Sequence, residues 1–197
     1  MSILRRGGWS LLSALVTVSA AALAGVPVYV EPQRDPVRPA DVVVVLAGGL
    51  DERFEVGIAL AGHGLAGEVL ISLGEEPDDP RMDRYCGGRF PFRVACFVPE
   101  AGRADGEARE IVRRATIYGW KHLIVVTSTP ELSLARHLVG KCFDGELTMV
   151  AATTGTGARY WASMYVRESA GFVRAFINQR CEAVVAARPP RPGALPD

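Results

Sequence analysis

The first apolar run in the chain is also the longest. From Gly7 to Val30 there is no charged residue, and the apolar positions do not gather into a helical stripe. A helix over this stretch would rise about 36 Å at 1.5 Å per residue, enough to cross a hydrocarbon core about 30 Å thick. Arg5 and Arg6 precede the run, while the charges after it are mixed: Glu31, Arg34, Asp35 and Arg38. The positive-inside rule then leaves the N-terminus in the cytoplasm and exports the rest of the chain. A cleaved signal peptide is the alternative, with Ala22-Leu23-Ala24 as the cleavage site and a secreted product. Apolar residues continue past that site through Val26, Val28, Tyr29 and Val30, which favours an uncleaved anchor over residues 1–30. Both readings put the body of the protein outside the cytoplasm, and the membrane is the first expected partner.

Beyond residues 31–40, where Pro32, Pro36 and Pro39 predict a stiff extended linker, the pattern changes to short apolar runs separated by helical periodicity. Val42-Val-Val-Val-Leu is continuous and β-branched, as a strand buried on both faces should be. Phe54, Ile58, Ala61 and Leu65 suit a short helix, and Glu68-Val-Leu-Ile-Ser72 a second strand. Residues 74–91 read as loop, and Phe92 to Val98 as a third strand. Ala108, Ile111, Val112 and Ala115 follow i, i+3, i+4, i+7, so residues 104–118 predict an amphipathic helix that stops at Gly119. A fourth strand ends at Thr127-Ser128, and Pro130 opens a helix running to about Cys142. Leu147 to Ala152 is the fifth strand. Tyr160 to Cys181 is the last helix, with Ala162, Tyr165, Val166, Ser169, Val173, Phe176 and Ile177 on one side. Residues 183–197 are disordered by composition. Strands alternating with helices predict an α/β domain over 41–182, with a mostly parallel five-stranded sheet and helices on both faces.

Composition adds two constraints. At 49% hydrophobic and 22% charged, the 197 residues can bury a full core. Twenty-two basic and 22 acidic residues cancel, which speaks against a nucleic-acid partner. The four cysteines show no metal-ligand spacing. In an oxidising compartment an even number suggests bridges. Cys86 and Cys96 flank a Gly87-Gly88 turn with Pro91, so they are expected to pair, leaving Cys142 to tie one helix end to Cys181 at another. Four free thiols are the alternative.

Ligands of such folds lie beyond the carboxyl ends of the strands. Gly48-Gly49 leads from a strand into a helix, where backbone N–H groups can hold an anion, or simply form a tight turn capped by Asp51. Thr127 and Ser128 would place two hydroxyls at the same edge, with Arg136 and Glu107 directed toward it from neighbouring helices. No catalytic triad is visible: Gly-x-Ser-x-Gly is absent, and His63, His122 and His137 all lie off the strand-end loops. The acidic run Glu75 to Asp79 lacks an ordered cation spacing.

Taken in order, Asp41-Val-Val-Val-Val-Leu-Ala-Gly-Gly49 with Arg53, Ala104-Asp-Gly-Glu-Ala108, Val125-Val-Thr-Ser128 with Ala135-Arg136, and Glu168 resemble the YdcF/SanA/ElyC-like family, domain of unknown function 218. The resemblance covers about Asp41 to Cys181 and is closest to the actinobacterial, membrane-anchored, cysteine-containing type. It implies a Rossmann-like three-layer αβα sandwich and a role in cell-envelope biogenesis, acting on or binding a phosphorylated or polyprenyl-linked lipid or glycan precursor. Carried over position by position, it implies a pocket of Gly48, Gly49, Arg53, Glu107, Thr127, Ser128 and Arg136. No cofactor follows from it as a rule, although binding of S-adenosylmethionine or another nucleotide is an alternative. The chain departs from the family pattern at Leu73, at Ala104, at Glu131 where a His is frequent, and at Leu134 where an Arg is frequent. A non-catalytic ligand-binding or scaffold domain is therefore the other reading.

Overall fold

Val42–Val45 forms strand β1, whose side chains alternate between two apolar clusters: Val42 and Val44 enter one, Val43 and Val45 the other. All four are fully buried, as a central strand covered on both faces requires. The computed structural model describes residues 2–48, 52–73, 82–99, 104–152, 155 and 157–178. The other strands are β2 (Glu68–Ser72), β3 (Arg93–Phe97), β4 (His122–Ser128) and β5 (Glu146–Ala152). They lie in the order β3-β2-β1-β4-β5, and every pairing is parallel. The expected α/β fold is present, with a sheet that is parallel throughout.

Helix α2 (Glu52–Gly62) covers one face through Phe54 and Ala61, packed with Val43, Val45, Val69 and Ile71. Helices α3 (Ala104–Tyr118) and α4 (Leu132–Gly140) cover the other through Ile111, Ala115, Leu138 and Val139. Helix α5 (Ala158–Ile177) joins that second layer through Ala175 and Phe172. The chain moves outward from β1 to β3, then returns through α3 to place β4 beside β1. That reversal opens a crevice at the carboxyl ends of β1 and β4, where open α/β sheets hold their ligands.

Helix α1 (Ser2–Gly25) precedes the domain. Leu12–Val30 is long and apolar enough to cross a membrane, and its place near the N-terminus also suits a signal sequence. A five-residue helical turn at Val26–Val30, with Pro27 in it, ends this stretch against the domain. The buried Tyr29 packs on Tyr165 with ring centroids 4.7 Å apart, and its hydroxyl meets Ser169 Oγ at 2.9 Å. Ser133 donates to the Val28 carbonyl at 2.7 Å. Residues 31–40 have no regular structure and are bound to the domain along their length. Asp35 accepts from Arg136 and from the Met149 N–H, both at 2.8 Å, Arg38 pairs with Glu146, and the Pro39 carbonyl meets His122 Nδ1 at 2.9 Å.

Cys86 and Cys96 form a disulfide across a Cα separation of 5.9 Å, as their spacing predicts. Cys142 is also disulfide-bonded. Cys181, Gly49, Glu75 to Asp79 and the tail 183–197 lie outside the described residues.

Candidate functional site

The site is built around the backbone of one residue, Ala47, just beyond the end of β1. The Ala47 N–H donates to Glu107 Oε1 at 2.8 Å, from the first turn of α3. The Ala47 carbonyl accepts from the Arg53 guanidinium at 2.6 Å, from the start of α2, with the Leu46 carbonyl 3.4 Å away. Arg53 is 3% exposed, so its long side chain lies wholly inside. Gly48 makes room for it: a Cβ there would overlap the guanidinium. Glycine is thus required by close approach.

Glu131, in the short turn between β4 and α4, joins the two sides of the crevice. Its Oε2 accepts from Thr127 Oγ1 at 2.9 Å and from Ser128 Oγ at 2.7 Å, and pairs with Arg53 at 3.0 Å. Its Oε1 pairs with Arg167 of α5, whose Nε donates to Glu168 Oε1 at 3.1 Å. Three carboxyl groups and two guanidiniums are therefore gathered at one strand edge.

Their environments drive the acids apart. Burial pushes the Glu107 carboxyl above its ordinary value of 4.5, the Ala47 N–H and the nearby Ser72 hydroxyl oppose the rise, and the negative charge of Glu131 adds to it. Ser72 lies beside this carboxyl without full hydrogen-bond geometry, and its buried Oγ has no partner among the described residues. Burial and the same Glu131 charge raise Glu168. Burial would also raise Glu131, but Arg53, the Ser128 and Thr127 hydroxyls and Arg167 together hold it below its ordinary value. The acid held low, Glu131, thus stands between two whose values burial raises.

A cavity of about 630 Å³ opens from this cluster. Glu107, Glu131, Arg167 and Glu168 stand at its polar end, while Val112, Leu134, Ala135, Leu138 and Ala175 form an apolar wall between α3, α4 and α5. Lys141 and Asn178 lie on its boundary and are hydrogen-bonded to each other. Volume and lining suit an amphipathic molecule with one polar end.

Of the residues predicted from sequence, Gly48, Glu107 and Thr127 line the cavity. Arg53 and Ser128 stand behind it and position Glu131. Arg136 does not reach it, which corrects the expectation that it faces this edge. Its guanidinium turns to the linker, where it binds Asp35 and the Gln33 carbonyl at 2.8 and 3.0 Å. Its neighbours Leu134 and Ala135 take the inward positions on α4. Four site members lie outside the pocket expected from sequence: Ser72, Glu131, Arg167 and Glu168. Glu131 has a local signal, two hydroxyls at i−4 and i−3, and Glu168 carries one as the only acid on α5.

No protein-family model matches the chain, and no curated protein does. The chemistry then rests on the residues themselves. Among the described residues no three His, Cys, Asp or Glu side chains converge as metal ligands. What the cluster offers is two carboxyl groups with raised proton affinity, Glu107 and Glu168, the charge-paired Glu131, and hydrogen bonding to hydroxyl or amide groups.

Proposed function

We propose that the chain is a membrane-anchored, extracytoplasmic domain of the YdcF/SanA/ElyC-like type that acts on a polyprenyl-linked envelope precursor. The observation that carries this reading is the crevice in which an apolar wall runs into a buried acid–base cluster. A prenyl chain suits the wall formed by Leu134, Leu138 and Val112. Arg53 and Arg167 are both engaged by Glu131, and Arg167 by Glu168 as well, so the polar end favours the hydroxyls of a precursor over its bare phosphate. In this role Glu107, whose hold on its proton burial strengthens, gives that proton to the oxygen leaving a C–O bond; water forms the new C–O bond and returns a proton to Glu107, while the Glu131 carboxylate stabilises the positive charge that develops on the carbon.

A specific observation favours the second reading, a binding domain without turnover. Glu131 stands where the family's His is frequent, and its two oxygens are occupied by two guanidiniums and two hydroxyls. One experiment separates the readings. The full chain in lipid nanodiscs is given a short-chain prenyl diphosphate sugar, with binding and product release both followed. The enzyme reading expects saturable binding and turnover, with Glu107→Gln retaining the first and losing the second. Binding without turnover selects the binding domain, and no binding overturns both.

A further inference from the structure

We infer that the outward side of α5 is a lipid-docking surface, seated on the membrane beside the anchor. The pattern of the helix is inverted relative to an ordinary core helix. Met164, Glu168 and Ala175 are its buried residues, whereas Val166, Val173 and Ile177 are 72%, 58% and 81% exposed. Those three follow i, i+7, i+11 and form one stripe, with Ala162 and Ala170 exposed along it. Phe176, 62% exposed, borders the same stripe. An apolar stripe of this length turned outward on a folded domain marks an interaction surface.

Its position names the occupant. The stripe runs next to the row Tyr165, Ser169 and Phe172, and that row holds the end of the apolar N-terminal stretch. Tyr165 donates to the Ala22 carbonyl at 3.1 Å, Tyr29 lies between Tyr165 and Phe172, and the Tyr29 hydroxyl meets Ser169. Gly25 allows this contact, because a Cβ there would overlap the Tyr165 ring. Residues 22–29 belong to the Leu12–Val30 segment long enough to span a bilayer. Where that segment leaves the membrane, α5 is therefore already beside it, and its apolar stripe continues the apolar surface of α1.

Charge agrees. The exposed charged residues of α5 are Arg159, Arg167 and Arg174; Arg167 is taken up by Glu131 and Glu168, which leaves Arg159 and Arg174 as the basic flank, and the one acid, Glu168, is buried. An apolar stripe flanked by basic side chains is the arrangement of helices that rest on anionic lipid. A second copy of the chain would set these arginines against their own kind. Docking would bring the α4–α5 side of the crevice to the bilayer surface, where a prenyl chain is found.

The inference rests on α1 being a retained anchor, and the test keeps the two apart. A photoreactive benzoylphenylalanine is placed singly at Leu15, Val98, Val166 or Val173 in the full chain, in nanodiscs containing phosphatidylglycerol. Lipid adducts are then counted by mass. The expectation is adducts at 15, 166 and 173 and none at Val98, which is exposed just after β3. Replacing Arg159 by Gln should lower the yield at 173 by about fivefold, from the loss of one basic contact with anionic lipid. Adducts at 15 but not at 166 or 173 would overturn the docking surface and leave the anchor standing. Chain-to-chain adducts at 173 would overturn it in favour of a dimer. No adduct at any of the four positions would refute the anchor, and the docking surface with it.

Discussion

Removing the Arg53 guanidinium should destabilise the domain far more than its few contacts suggest. In Arg53→Met the stem is retained, but Glu131 loses its 3.0 Å partner and the Ala47 carbonyl loses a 2.6 Å donor. Breaking one side of a buried pair costs about 3–5 kcal/mol because the other charge is left uncompensated. Glu131 keeps two hydroxyls and Arg167, and Arg167 is more than half exposed, so its help is screened. The lower end, about 3 kcal/mol, is the expectation. With a urea slope of about 2 kcal/mol per molar, the midpoint falls by about 1.5 M. Adding Glu131→Gln removes the stranded charge, so the double variant should recover part of the loss, with a coupling of about 1–3 kcal/mol. The assay is urea unfolding of the full chain in mild detergent, followed by the fluorescence of the buried Trp120. A single-variant loss below about 1 kcal/mol, or strictly additive variants, would refute the claim that this pair holds the two walls of the crevice together.

Gly48→Ala should act on the same pair from outside: its methyl displaces the guanidinium, at a cost of about 1–3 kcal/mol, and an Arg53→Met background should recover part of that loss in the same urea midpoints. The pH response should have two opposite parts. Glu107 has a raised value, so its contribution is full below 4.5 and is lost as pH rises through that raised value; Glu107→Gln should therefore gain on the parent as pH rises, and parallel midpoint curves would count against it. Glu131 is lowered, so its contribution is present above 4.5 and is lost as pH falls through the lowered value; Glu131→Gln should lose least, relative to the parent, at the acid end of the same titration. Replacing Cys86 and Cys96 by Ser should cost about 2–3 kcal/mol from the ten-residue separation they close, read as a lower urea midpoint under non-reducing conditions.

The layers are legible in the sequence because burial on both faces forces a continuous apolar run. Val42 to Val45 and Leu123 to Val126 admit no other placement than the centre of a parallel sheet. Once those strands are adjacent, Gly48 and Thr127 must come to one edge, and the helices that begin there bring Arg53 and Glu107. Orientation about a helix axis is what the pattern does not carry. Arg136 directly follows two inward-facing residues, Leu134 and Ala135, yet it turns to an aspartate 101 positions away that no periodicity could link to it. Helix α5 misleads more deeply. Its apolar stripe is its outer side, and its inner side carries Glu168, so the strongest pattern on the helix points away from the cluster it completes. Glu131 shows in sequence only two hydroxyl residues before it; its role depends on two arginines from other helices that meet only after folding.

The docking of Tyr29, Val28 and Asp35 changes where the folded unit begins. A truncation starting at Asp41 would strip a covering from Tyr165 and Phe172, leave Ser133 without its carbonyl, and take the acceptor from Arg136 and from the Met149 N–H. Processing after Ala24, by contrast, would leave Gly25 to Ala40 in place with almost all of these contacts intact. Retention or release at the membrane is thus a choice made upstream of the seal, and the folded body is the same object in either case. Its true first residue is the glycine at 25, not the aspartate that opens the sheet.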